Sequence, residues 1–434
     1  MSGGVKAGWV SALAVSGLML GVANAQAADL GGDCCSDLEE RVAELEATTA
    51  KKGNRKVSLA ISGWVNEAVF FWDDGTESNV YVGTNALEQS RFKLSGEAKI
   101  NKDWSAGYTI EVGIYGANSG SFSQTSGGSS NSLGLRKSNW YLKSKTYGKM
   151  TVGLDGTSTY HLLDDADGAN TRNYSDAEAA RVALGAFGLR SGGHSVSNGG
   201  ATLKWGDIMR GFNNGTPGQD GRRNIVKYDS PEFAGFVASV SWGEDDLWDT
   251  SLSYKGELHD FKLVGRIGYG ESTDPSASAC GGPDGGFKCT WWGAAGTAMH
   301  VPTGLYVFAG YGEQTVDSMV PTLEDTSTTW FVQGGIERKW HPLGKTTIFG
   351  EYRHDDAGAN QSYVTSGGTT TLNTLSYGAD LDMYAAGIVQ NIEAAAMDLY
   401  VIYRHAEGDY KNTATTSVNL DDFDMLITGA RIQF

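Results

Sequence analysis

RFKLSGEAKINKDWSAGYTIEVGI, residues 91–114, sets Phe92, Leu94, Ala98 and Ile100 on one side of an extended chain and Arg91, Lys93, Glu97 and Lys99 on the other. A tight Asn101-Lys102-Asp103 turn leads into Tyr108, Ile110, Val112 and Ile114 at every second position. A period of two is the mark of a strand with one apolar and one polar face. Before it, Val57, Leu59, Ile61, Val65, Val69 and Phe71 alternate with Ser58, Ser62 and Asn66 over a run longer than a globular strand usually reaches. Two all-β folds fit this pattern. In a soluble sandwich the apolar set faces a core; in a membrane barrel it faces lipid and the charged set lines water.

The connections separate the two. Short ones fall near Asn101, Lys145, Asp229-Ser230-Pro231, His259, Pro302, Pro342 and Ala395. Long ones are expected near Asp74, 120–132, 156–222, Glu244, 270–289, 312–327, 355–375 and 406–420. Alternation of short and long places every long loop on one side, as in an antiparallel barrel inserted from the periplasm. Counting the alternating runs predicts about sixteen strands, at roughly twenty-three residues per strand with its connection.

Composition is compatible with this. A barrel strand shows lipid only every second residue, so 20% charged residues do not exclude the membrane. No segment has the roughly 20 apolar residues of a spanning helix. Sixty Gly against 7 Pro, with 19 Tyr and 12 Trp, favour sheet with interfacial aromatic rings. The formal charge of −17 and the absence of a basic patch argue against a nucleic-acid partner.

The segment from Gly156 to Arg222 breaks the rhythm, with an acidic knot at Asp164, Asp165 and Asp167, a candidate helix from Asp176 to Leu184, and arginines at 172, 181, 190 and 210. It reads as a third long loop folded into the lumen; the alternative is a solvent-exposed loop.

Residues 1–27 read as a signal peptide, with Lys6, an apolar core from Trp9 to Val22, and small residues at Ala23-Asn24-Ala25 or Ala25-Gln26-Ala27. Residues 28–56 follow as a periplasmic helical arm and hinge. In it Cys35, Leu38, Val42, Leu45 and Thr49 keep two coiled-coil heptads, enough only where something else gathers several copies. Cys34 and Cys35 are adjacent and suit a bridge between chains, while Cys280 and Cys289 close a small Gly-rich loop and are expected to pair after export. No spacing points to a cofactor or a metal.

The chain ends on Leu426, Thr428, Ala430, Ile432 and Phe434 along one face, similar to the terminal signal read by outer-membrane insertion machinery. From Val57 to Phe434 the chain resembles the porins of alphaproteobacteria, a branch of the general diffusion porins. The resemblance is carried by Val57-Ser58-Leu59-Ala60-Ile61-Ser62-Gly63, by the run from Arg223 to Pro231 with Phe233-Ala234-Gly235-Phe236 beyond it, by the Trp340 to Tyr352 turn, and by Gly429-Ala430-Arg431-Ile432-Gln433-Phe434. It implies a sixteen-stranded barrel (57–434), a homotrimer in outer-membrane lipid, and passive passage of small hydrophilic solutes and ions past the loop 156–222. The loop is longer than the enterobacterial one and lacks its Pro-Glu-Phe-Gly-Gly-Asp motif.

If apolar residues face lipid, parity turns Arg91, Lys93, Lys227, Arg266, Arg353, Arg404 and Arg431 into the lumen, with Glu97, Glu111, Glu351 and Asp398. Asp164, Asp165 and Asp167 would oppose them across the narrowest point and set up a transverse field. A channel selective for a sugar or an anion, using Tyr160, Tyr174 and Phe187, is the nearer alternative. A barrel hydrolase built on His161 with Asp164 or Asp165, or on His354 with Asp355, lacks a recognisable Ser or Cys nucleophile, so no enzyme is expected. An adhesive surface protein needs no open lumen.

Overall fold

The computed structural model describes residues 56–434 apart from 129–131, 173, 175–183, 199–200, 210–215, 244–245, 274–287, 318–321 and 367–368. The leader, the arm with Cys34 and Cys35, nearly all of the 176–184 segment, Arg181, Arg210 and Cys280 lie outside the described residues.

Sixteen antiparallel strands close into one barrel. β1 is Ala60–Asp73; β2 comes in two halves, Ser78–Thr84 and Arg91–Lys99; β3 is Trp104–Tyr115, β4 Ser132–Ser144 and β5 Gly148–Gly156. β6 is Arg222–Asp229, β7 Phe236–Gly243, β8 Leu247–Leu258, β9 Phe261–Ser272, β10 Cys289–His300 and β11 Leu305–Val316. β12 is Thr326–His341, β13 Gly344–Ala357, β14 Ala379–Ile392, β15 Met397–Thr413 and β16 Phe423–Gln433. β16 pairs back onto β1 from Trp64↔Gln433 to Asp73↔Asp424. Closure leaves no sheet edge, so every strand finds backbone partners on both sides, the condition for crossing hydrocarbon with strands. No helix among the described residues is long and apolar enough to cross a membrane.

Both ends of the barrel chain reach the rim of short connections, two to six residues each. The other rim carries the long ones, including 116–131, 157–221, 273–288 and 358–378. Two connections expected to be long are not: β1 turns into β2 through 74–77 and β7 into β8 through 244–246. At the first, the Asp74 carboxylate accepts from the backbone of Thr76 and Glu77, which makes a tight turn out of a polar stretch that reads as a loop.

The outward face is apolar and bears a row of aromatics toward the long-loop rim. Trp248 meets Tyr269, Trp292 meets Tyr311, Trp330 meets Tyr352 and Tyr352 meets Tyr384, with ring centroids 5.0 to 5.6 Å apart. Rings with a polar edge suit the boundary between hydrocarbon and headgroups.

The inward face is not uniformly polar. Phe308, Phe331, Phe349, Met383, Ile402, Met425 and Ile427 on β11–β16, with Phe70 and Trp72 on β1, point inward and are buried. They are covered by side chains of 157–221, among them Leu163, Tyr174, Phe187 and Trp205, in one hydrophobic core. Phe187 sits 4.7 Å from Phe423 and 5.1 Å from Trp72 between ring centroids. Period-two reading assumes one wet face; here that face is dry over half the circumference because a distant segment packs on it.

Candidate functional site

Three local irregularities build the site. The first interrupts β2: residues 85–90 stand opposite only Val65 and Asn66, because β1 pairs with Ser78–Thr84 from Glu67 onward and with Arg91–Ser95 up to Trp64. Asn85 caps the short 3-10 turn Ala86–Glu88 by accepting from the Leu87 N–H at 3.2 Å, and Asn66 Nδ2 donates to the Glu88 carbonyl at 3.0 Å. This carries Glu88 into the lumen, where it pairs with Arg91 at 3.0 Å and with Arg172.

The second is a β-bulge in β4. Glu111 of β3 stands opposite Lys137 while Val112 stands opposite Leu135, leaving Arg136 as the extra residue. A bulge places two consecutive side chains on one side. Arg136 reaches Glu111 at 2.8 Å and Lys137 reaches Asp155 of β5 at 2.8 Å, both inside. Strict alternation would have sent one of them to lipid, so the parity argument missed this pair.

The third is a glycine notch in the wall. Gly293 of β10 and Gly312 of β11 are paired, and the chain at Pro217-Gly218 lies directly on them. A Cβ on Gly312 would stand 2.0 Å from the Pro217 carbonyl oxygen, and Gly218 itself has φ of +90°. Only glycine permits that approach and that backbone.

Between β5 and β6, the segment 157–221 makes polar contacts with inward-facing groups around the barrel. The Thr159 N–H and Oγ1 donate to Asp249 of β8 at 2.7 and 2.6 Å, and Trp291 Nε1 donates to Thr159 Oγ1 at 2.9 Å. Lys262 donates to the Gly168 carbonyl at 2.6 Å, the Thr171 hydroxyl lies 2.8 Å from Gln333 Oε1, and the Tyr174 hydroxyl donates to Asp398 at 2.7 Å.

The three aspartates of the acidic knot do not converge. Asp164 is fully buried, its Oδ2 2.6 Å from His161 Nδ1. Asp167 is turned into the packed interior and accepts from the Thr171 hydroxyl at 2.6 Å and the Ala169 N–H at 2.7 Å. Burial pushes the Asp167 carboxyl up to about 6 against those hydrogen bonds. Asp165 alone borders open space, held by Arg172 at 2.9 Å and by Arg266 of β9 at 2.8 Å. Burial, reinforced by the Arg172 guanidinium, holds the His161 imidazole well below its usual range, so it is neutral at pH 7. His161 also has φ of +50°, a conformation that side chains seldom adopt away from constrained sites.

The basic residues divide in the same way. Arg91, Lys227 and Arg266 border a cavity of about 500 Å³, with Trp64, Lys137 and Tyr160. Lys93 lies on the same wall of β2 as Arg91. Arg353, Arg404 and Arg431 also point inward and are buried, as Arg91 is, but they do not line that cavity, and each has an acidic partner: Asp355 at 2.9 Å, Glu351 at 3.9 Å and Asp398 at 3.2 Å. Cys289 is buried at the start of β10, and Phe434 closes on β1 through backbone hydrogen bonds with Gly63. Among the described residues, two groups of side chains have ligand atoms close enough to hold a cation, His354 with Asp380 and Asp382, and His405 with Glu407 and Asp422; the pairing of β13–β15 turns His354, Asp382, His405 and Glu407 outward, away from the cavity. The pairing of His354 with Asp355 does not form: the two lie on opposite faces of β13, and His354 Nδ1 is 3.0 Å from Asp382 Oδ1.

A closed sixteen-stranded barrel with an apolar exterior, an aromatic row and a charged, partly open interior is a membrane channel. The chain belongs to the Gram-negative porin family, whose model matches residues 11–413. It is similar in structure to the anion-selective porin of Comamonas acidovorans, at 14% identity over 87% of this chain and 100% of that one, with a TM-score of 0.57. OmpT, an outer membrane protein of Vibrio cholerae, aligns at 14% identity over 89% and 100% with a TM-score of 0.53. OmpF of Salmonella typhi, solved with daunomycin, aligns at 15% identity over 88% and 99% with a TM-score of 0.50. No curated protein sequence matches the chain significantly. The protein is an outer-membrane porin that forms a channel for passive diffusion.

Proposed function

We propose that it is a general diffusion porin of the alphaproteobacterial branch, in which the segment 157–221 is the constriction. The observation that carries this reading is the set of ion pairs in which Asp165 and Arg172 of the segment meet Glu88 and Arg266 of the wall beside the cavity. Charges held on both sides of a narrow aqueous passage orient water, and an apolar solute must strip that water to pass. Single-channel conductance of the refolded protein, before and after deletion of residues 160–185, tests it. A larger, less selective pore supports the constriction; unchanged conductance from a folded, heat-modifiable barrel refutes it.

The assembly is a homotrimer in outer-membrane lipid. Supporting this, the outward aromatic row runs along β7–β15, whereas at the same end β2 and β4 expose Val80, Val82, Leu133 and Leu135. The exposed Glu67 also sits mid-strand on the outward face of β1, a costly place for a charge against lipid. A leader at 1–27, an arm at 28–56, export through the periplasm with recognition of Phe434 by the insertion machinery, and a Cys280–Cys289 bridge belong to the same reading. Membership in a family of channels supports a role without catalysis. Trp64 and Tyr160 beside the cavity favour a second reading, a solute-selective channel, which saturable block by one solute class would distinguish.

A further inference from the structure

The chain carries 51 acidic and 34 basic residues, yet the open half of its lumen has the opposite balance. At the cavity beside the segment 157–221, and in the wall directly behind it, where Arg136 is buried, four guanidinium groups share three carboxylates. Arg91 and Arg172 both pair with Glu88, Arg91 and Arg136 both reach Glu111, and Arg172 and Arg266 both hold Asp165. Beside it on β4–β6, three ammonium groups meet two carboxylates. Lys137 pairs with Asp155 at 2.8 Å, Lys149 lies over the Tyr141 ring at 4.7 Å, and Lys227 donates to the Gly156 carbonyl at 3.0 Å. The second carboxylate, Asp229, accepts from the Ser239 hydroxyl at 2.6 Å. At the short-turn rim a further cavity of about 750 Å³ is lined by Lys99, Lys102, Lys143 and Lys145 against Glu97 and Asp103. Cations exceed carboxylates at all three places.

We infer that the channel prefers small anions, inorganic or carboxylate, conducted along a basic track on β2–β6 and β9 that runs from the 157–221 segment to the short-turn mouth. The inference rests on the diffusion-channel reading. Its physical basis is distance. Charges on the outer loops and outer wall act through salt water with a screening length of about 8 Å, whereas charges lining a narrow low-dielectric passage act directly on the ion inside it. Net charge therefore misleads. The bulge at Arg136 strengthens the track, since it brings Arg136 and Lys137 inside together.

The experiment is the zero-current potential of the full-length protein in a planar bilayer under a potassium chloride gradient. Three proteins are compared: the parent, Lys227→Glu with Lys137→Glu, and Lys411→Glu, a charge change outside the lumen where Lys411 lies 3.9 Å from Glu324. The expected result is a parent selective for chloride, a several-fold fall in the chloride-to-potassium permeability ratio in the double variant, and no change for Lys411→Glu. A conducting parent that prefers potassium overturns the inference and leaves the channel reading intact. An equal shift from Lys411→Glu also overturns it, because total charge would then set the preference. A folded barrel that does not conduct overturns both.

Discussion

Replacing Asp398 with alanine should loosen the segment 157–221 from the wall without opening the barrel. Asp398 is 3% exposed on the inner face of β15 and accepts from the Tyr174 hydroxyl at 2.7 Å, from Asn391 Nδ2 at 2.8 Å and from Asn170 Nδ2 at 3.2 Å. It also forms an ion pair with Arg431, 3.2 Å away, which is itself buried between Trp64 and Tyr174. Hydrogen bonds to a charged group contribute about 1.5–3 kcal/mol each, and stranding a buried partner costs about 3–5 kcal/mol. Part of this is recovered by relaxation and by water entering the lumen, so the expected loss is about 3 kcal/mol. The strands and their backbone ladder are untouched, so the loss should fall on the segment. Urea unfolding followed by the gel shift of the heat-modifiable barrel gives the stability, and single-channel recordings give the current noise. Asp398→Ala should lower the midpoint and raise open-channel noise, and adding Arg431→Met should restore part of the loss by removing the stranded cation. A loss below about 1 kcal/mol, or a double variant as unstable as the two single losses added, would refute the anchoring role.

Gly312→Val should lift the Pro217-Gly218 chain off β11, since its Cβ would stand 2.0 Å from the Pro217 carbonyl oxygen; conductance should rise or become erratic while the heat-modifiable band persists. Asp167 gives a pH dependence. Burial holds its carboxyl at about 6 in the folded protein against an ordinary 3.8, so its contribution favours folding below that lower value and is lost as pH rises through about 6. The upper bound on that loss is about 3 kcal/mol, from 1.36 kcal/mol per pKa unit. Asp167→Asn should therefore flatten the fall in stability between pH 4 and pH 7, measured as urea midpoints; an unchanged slope would show that Asp167 is solvated.

Much of the barrel is legible in the chain because alternation is local. Arg91 to Ile100 shows its two faces without knowledge of any neighbour, and the short turns near Asn101, His259 and Ala395 locate the ends of strands. The connections at Asp74 and Glu244 are short where the sequence predicts long ones, because a polar stretch looks the same whether it closes a tight turn or opens a loop.

The sequence alone determined the fold class and the strand number, which follow from a period of two, and the side of the long loops, which follows from the alternation of short and long connections; of the inward cations it reached those on regular strands and not the Arg136 and Lys137 pair that the bulge brings inside. Only the tertiary structure decided which of those charges meet water. Arg353, Arg404 and Arg431 share the inward parity of Arg91 and Arg266, yet they lie beneath or beside a segment more than a hundred residues away in the chain and do not border the cavity that Arg91 and Arg266 line. Asp164, Asp165 and Asp167 are near neighbours in sequence, and of the three only Asp165 borders the cavity, because the turn buries Asp164 and points Asp167 away, toward Thr171 and Ala169. Burial is set by contacts between residues far apart in the chain, and no local period encodes them.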